Sequence, residues 1–245
     1  VVFEDGVRVV ALPGGIAHIV DNLIRVRDST NVVLRGESRG ENRAILQMRR
    51  DDYLDPAKYI FSGHRHAIGL FDVENVTLRD LKVLDSGGDG VYFLGVRKGT
   101  VENCVFSGHA RQGASIIDVS GVAIRNCVFE NTGGALPECG MDIEPGHAGF
   151  NIENLLVENC VFRSNNCSGV SVNVSSLKSD NRNIAIVYRD CDMYDNVQRG
   201  VWCVLGYSGH KPVKGRILFD GCRMWNNKRG PLQVNHLGSD GPHLT

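Results

Sequence analysis

NVTLRDLKV, residues 75–83, returns in altered spelling along the chain: GTVENCVF (99–106), GVAIRNCVF (121–129), NLLVENCVF (154–162), IVYRDCDM (186–193) and ILFDGCRM (217–224). A looser copy, NVVLRGES (31–38), precedes them. Between these copies runs a second line that usually opens on Gly: GVYFLG (90–95), GASIID (113–118), GMDIEP (140–145), GVSVNV (169–174), GVWCVL (200–205) and GPLQVN (230–235). AIGLFD (67–72) fits ahead of them, with Ala in the Gly place. From residue 67 on, successive copies lie 23 to 33 residues apart. Each unit holds short alternating segments, with Gly, Asn and Asp at the joints and no segment of helical period. A unit of that size is one coil of a solenoid, because it cannot bury its own apolar face without a neighbour. The Leu-x-x-Leu-x-Leu frame of leucine-rich repeats is missing, and so is a recurring hairpin turn of the kind propeller blades need. The predicted fold is all-β: a right-handed parallel β-helix of roughly seven to eight coils, filling residues 1–245 as a single domain.

These lines resemble the right-handed parallel β-helix (pectin-lyase-like) superfamily over nearly the whole chain. The combination SGGDGVYF, RQGASI and GMDIEP is similar to a bacterial branch that acts on polysaccharides. The resemblance implies a polysaccharide substrate and an extracellular or periplasmic location. Fold alone does not choose between lyase, hydrolase, epimerase and phage tailspike.

Composition narrows the partners. Lys and Arg total 27 against 28 Asp and Glu, a net charge of −1, which leaves no excess of positive charge for nucleic acid or an anionic membrane surface. No apolar run approaches the ~20 residues of a membrane span. The opening VVFEDGVRVVAL has no signal-peptide pattern and reads as the middle of a strand, so the natural chain is expected to extend beyond it. Solenoid ends need covers, so loops such as HLGSDGPHLT or other subunits are expected there, and oligomerisation through the ends is open.

The repeat also accounts for the cysteines. Leu81, Cys104, Cys127, Cys160, Cys191 and Cys222 occupy one position in consecutive units and should stack inward as free thiols, with Cys203 inward on its own strand. Cys139 and Cys167, at turns of neighbouring coils, are the one pair placed for a disulfide. No spacing fits zinc.

Aligning the Gly line turns each position into a column. Positions one and three after Gly point inward, and positions two and four point outward. Asp142 and Glu144 therefore share an outward face. Just before Gly come His66, Asp89 and Gln112, and one place earlier Arg65 and Arg111. His66 and Asp89 should be neighbours on adjacent coils within hydrogen-bond reach. One strip collects Arg65, His66, Asp89, Tyr92, Arg111, Gln112, Asp142, Glu144, Ser171, Asn173, Arg199 and Trp202. Flat aromatics, amides and guanidinium forks along one face suit an extended sugar chain. Asp142, Glu144, His66, Asp89 and Arg111 are the catalytic candidates, and Arg65, Tyr92, Gln112, Ser171, Asn173, Arg199 and Trp202 the substrate-binding ones. His64, His109, His147 and His210 fall in loops or turns and read as structural.

Two chemistries remain open. Hydrolysis needs two carboxyls about 5–5.5 Å apart for retention or about 6.5–9.5 Å for inversion. Same-face positions on one strand are ~6.8 Å apart at the backbone, and Asp89, ~10 Å from Asp142, is an alternative second carboxylate. Lyase or C5-epimerase chemistry on a uronate needs Arg65 or Arg111 to neutralise the sugar carboxylate and His66 or Tyr92 as base. No cofactor is required, but Asp142 and Glu144 could hold Ca²⁺ there. The middle coils offer no outward Lys as a base, and polygalacturonase signatures are absent as well; hydrolysis is favoured because the carboxylates outnumber plausible bases for proton abstraction. A glycan-binding or structural β-helix without catalysis is the third possibility.

Overall fold

The computed structural model describes residues 1–206, 211–236 and 240–245. His210 and part of the HLGSDGPHLT segment lie outside the described residues. The chain winds into parallel coils with three faces. The first face carries the Gly-line strands: the opening of Ile68–Arg79, of Val91–Glu102 and of Ala114–Arg125, then Met141–Ile143, Val170–Asn173, Val201–Val204 and Leu232–Asn235. The second face carries the remainder of the long strands, continued by Ile152–Glu158, Ile184–Arg189, Gly215–Asp220 and His243–Leu244. The third face is an eight-stranded sheet of three-residue strands from Arg8–Val10 to Arg223–Trp225. All pairings between named strands are parallel and join equivalent positions of successive coils, as in Phe106, Phe129 and Phe162.

The corners explain the repeated Asn and Asp. Asp80, Asn103, Asn126, Asn159 and Asp190, each just before the Leu/Cys column, sit at φ between 50° and 59°, with Gly221 in the same place at 63°. Only Gly, Asn and Asp adopt that left-handed backbone at low cost, so the Asn-Cys pair of the repeat is a corner followed by an inward filler. The next corner is built the same way by Asp85, Gly108, Asn131, Asp195 and Asn226, while Ser164 takes the same backbone in its coil without that ease.

Inside, Phe106, Phe129 and Phe162 stack with centroids 5.1 Å apart. All eight cysteines are free. The thiols of Cys104, Cys127, Cys160 and Cys191 each donate to the carbonyl two residues earlier, at 3.1–3.3 Å. Cys139 and Cys167, the pair placed for a disulfide, lie side by side as free thiols. A polar column runs beside this core: Asn165 Oδ1 accepts from Thr132 Oγ1, Asn196 Oδ1 from Asn165 Nδ2, and Asn227 Oδ1 from Asn196 Nδ2, at 2.9–3.0 Å. These bonds satisfy amides that the turn would otherwise bury unpaired.

The first face carries one irregularity. Phe93 pairs with Ile116 but Leu94 pairs with Asp118, so Ile117 is an extra, bulged residue and not the fourth member of its outward column. Asp118 is thereby placed to accept from Arg97 Nη2 at 2.8 Å and from the Asn151 amide at 3.0 Å.

Candidate active site

Strand register sets out the strip row by row. Arg25, Gly69, Tyr92, Ser115, Asp142, Ser171, Trp202 and Gln233 are successive partners across eight strands of the first face. Loops close over part of this row: Asn22 Oδ1 would lie 2.6 Å from a Cβ on Gly69. Ser115, Asp142 and Ser171 are also buried, whereas the column pattern placed them on an open surface.

At the centre, Asp142 is 2% exposed and is held from both sides. Gln112 Nε2 donates to Asp142 Oδ2 at 2.9 Å, while Gln112 Oε1 accepts the Cys139 amide at 2.9 Å, which fixes the orientation of the clamp. The Ser171 hydroxyl lies beside the same carboxyl. Burial, then the charge of Glu144, push the Asp142 pKa up to about 7, outweighing the opposing pull of Ser171 and Arg111. Glu144 is half-buried, with Oε1 accepting from Asn173 Nδ2 at 3.3 Å. Asn173 is itself oriented by Ser175 Oγ, which donates to Asn173 Oδ1 at 2.6 Å.

The second centre is Asp89, fully buried one step before Gly90. Arg111 Nη1 lies 3.2 and 3.0 Å from its two oxygens. Burial nevertheless raises Asp89 to about 6 despite Arg111. His66 is adjacent, as the columns predicted, but the expected hydrogen bond takes a different form. The backbone N–H of Asp89 donates to His66 Nδ1 at 3.1 Å, so that nitrogen is an acceptor and the ring proton sits on Nε2. The 3.2 Å approach of Asp89 Oδ2 to the same nitrogen then joins two acceptors unless Asp89 is protonated. Burial, with Arg111, His64 and Arg25 nearby, holds the His66 pKa well below its usual value, and the imidazole is neutral. Tyr92 stacks flat on it, centroids 4.6 Å apart and planes 9° from parallel. Burial and the charge of Asp89 raise the Tyr92 phenol.

Arg65 is not a surface residue. It is 0% exposed, and its guanidinium donates to the carbonyls of Ile16, Ile60 and Ala17 at 2.9–3.2 Å, with Tyr53 and Tyr59 beside it. It staples two loops onto the solenoid, and the column rule missed this because those loops are not part of the repeat. Arg199 and Trp202 are half-buried further along; among the described residues the indole N–H of Trp202 is buried without a partner, as is the Ser115 hydroxyl, which lies near Asp89 without well-aligned geometry. Arg25 and Arg27 also reach this face, and the sequence reading passed over them. Their segment, IRVRD, alternates like the others and ends at the left-handed Asp28, but has no opening Gly to flag it.

One oxygen each of Asp142 and Glu144 accepts a side-chain amide, from Gln112 and Asn173. Among the described residues no group of three His, Cys, Asp or Glu side chains is arranged to hold a metal. A cavity of about 590 Å³ lined by Pro13, Ala17, Tyr59 and Ile60 contains none of the strip residues. Among the described residues no helix is long and apolar enough to cross a membrane.

Comparison with known proteins agrees with the fold. Over 95% of its length the chain superposes on the Azotobacter vinelandii mannuronan C-5 epimerase AlgE6 A-module, with TM-score 0.58 and 16% identity, covering 61% of that chain. The AlgE4 A-module from the same organism gives TM-score 0.56 at 13% identity, with 95% of this chain and 71% of that one covered. Pectate lyase Pel9A gives 0.52 at 11% identity, with 91% and 65% covered. This chain thus spans roughly three fifths to seven tenths of those structures. No curated protein sequence matches it. The family described as the right handed beta helix region matches residues 57–215, well over half the chain, and the protein belongs to that family.

Proposed function

We propose that the protein is a polysaccharide-active enzyme that holds an extended glycan along the first face and hydrolyses a glycosidic bond beside Asp142. Asp142, protonated near neutral pH, donates its proton to the leaving oxygen, and Glu144 is the partner carboxylate that activates water or attacks the sugar. The observation that carries this reading is the Asp142 carboxyl: buried, crowded by Glu144 and raised to about 7 where an unperturbed Asp would be fully ionised. Tyr92, Asn173, Arg199 and Trp202 flank it as sugar contacts. Gln112 and Ser171 position the acid.

Elimination or C5 epimerisation on a uronate is the second reading, supported by the epimerase and pectate lyase likenesses in fold. Base chemistry counts against it. His66 Nδ1 already accepts the Asp89 amide, and the Tyr92 phenol is raised, so neither is poised to take a C5 proton. Arg65 cannot neutralise a sugar carboxylate from the interior.

Product analysis of wild type and Asp142→Asn on a panel of neutral and acidic polysaccharides separates these readings. New reducing ends without the ultraviolet absorbance of unsaturated uronates, lost in the variant, support hydrolysis. Absorbance from unsaturated ends, or inversion at C5, supports the second reading. No product from any polysaccharide points to a binding or structural solenoid.

A further inference from the structure

The end of the strip nearest the N-terminus carries a pair of cations that the proposed hydrolysis does not use. Arg25 and Arg27 lie on Ile24–Gly36, with Val26 turned inward between them, and pair in register with Gly69 and Phe71. Both are exposed. Their guanidinium carbons lie 5.1 and 4.8 Å over the Phe71 ring, whose other neighbour is Tyr92 at 5.7 Å. Among the described residues neither forms an ion pair; Arg25 makes one long hydrogen bond, 3.4 Å, to the Val20 carbonyl. Several arginines elsewhere on the solenoid do otherwise: Arg97, Arg125, Arg163, Arg189 and Arg223 are each paired with a carboxylate. His66, stacked on Tyr92, feels the charges of Arg111, His64 and Arg25, and the buried Asp89 carboxylate is already taken by Arg111.

We propose that Arg25, Arg27 and Phe71 form a subsite for the acidic groups of an anionic glycan. It rests on the polysaccharide reading above and names the substrate class. Two guanidiniums stacked on an aromatic ring are pre-oriented, and their planar forks match a carboxylate or a sulfate, the two sources of negative charge on such chains. The subsite lies four strand steps from Asp142, roughly 19 Å at the parallel-strand spacing, so the gripped group is several sugar units from the cleaved bond. Short substrates therefore do not reach it, and long ones do.

The test uses Arg25→Ser/Arg27→Ser in the Asp142→Asn background, with binding measured by calorimetry. Alginate and polygalacturonate are compared with their esterified forms, and dextran sulfate with dextran. Loss of about tenfold or more in affinity for a charged chain, with its uncharged counterpart unaffected, is the expected result. The esterified pairs then identify carboxylate, and the dextran pair sulfate, as the group gripped. Undiminished binding of the charged chain, equal loss on charged and neutral chains, or no binding of any charged chain by the parent overturns the subsite. Both arginines are exposed, and an unchanged melting curve checks that the variant folds. In the active enzyme the same pair should raise KM for long acidic oligosaccharides and leave short ones unchanged. Binding lost in the double variant while the parent enzyme yields no cleavage product would keep the subsite and remove the hydrolytic reading.

Discussion

Two charged columns run along the same solenoid and obey opposite rules. On the second face, Arg125, Glu158, Arg189 and Asp220 alternate in sign at one position of successive coils, with contacts of 3.1, 3.3 and 3.4 Å. The pull of the flanking arginines holds Glu158 below the usual carboxylate range. On the first face the carboxylates of Asp89, Asp142 and Glu144 crowd together with one close cation, Arg111, and burial lifts Asp142 to about 7 and Asp89 to about 6. A parallel stack offers every outward residue a neighbour directly above and below, and alternation is the easy solution. Where the chain sets like charges together and buries them, the fold is carrying a cost, and such places are where chemistry is found.

The sharpest way to break the contrast is to remove the charge at its centre. Asp142→Asn should lower kcat on the cleaved polysaccharide by about 10²–10⁴, the range for loss of a general acid. The equivalent neutralisation in the alternating column, Glu158→Gln, should leave kcat unchanged.

Stability should respond in the reverse sense. The folded state holds the Asp142 proton more tightly than the unfolded chain, so the destabilisation from ionising it grows as pH rises from about 4 to about 7. Urea unfolding should find Asp142→Asn and wild type alike below pH 4 and the variant more stable above pH 7, by an amount on the order of a few kcal/mol. Activity that needs the protonated acid should fall as pH rises through about 7.

Arg111→Met sharpens the comparison from the other side. It strips Asp89 of its cation, and near pH 8 should cost about 3–5 kcal/mol, the range for breaking a buried pair. At pH 4, where Asp89 is protonated in the folded state, most of that loss should vanish. The smallest effect is expected for Glu158→Gln itself: a slight drop in melting temperature at low salt that disappears at high salt, because exposed pairs are screened.

The same contrast shows what was legible in the sequence. The alternating column, the Asn-Cys corners and the thiol ladder follow from the repeat, because each depends only on the coil above and below. Most of the site could be placed on one face by the same logic, including His66 beside Asp89 and the shared face of Asp142 and Glu144. What covers that face could not be read. Asn22 over Gly69 and the carbonyls of Ile16, Ala17 and Ile60 around Arg65 come from non-repeating loops, and they turned an expected surface arginine into a buried staple. The His66 tautomer hangs on one backbone N–H, and the bulge at Ile117 shifts a column by one residue; neither has a sequence signature. Arg25 and Arg27 went unnoticed because their strand has no opening Gly.

The most direct measurement is a ¹³C NMR titration of the Asp142 carboxyl in wild type and in Glu144→Gln. The expected result is an apparent pKa near 7 in wild type that falls when the neighbouring charge is removed. Titration near 4, unmoved by the Glu144 substitution, would contradict the central claim that this carboxyl is held as an acid by burial and like charge.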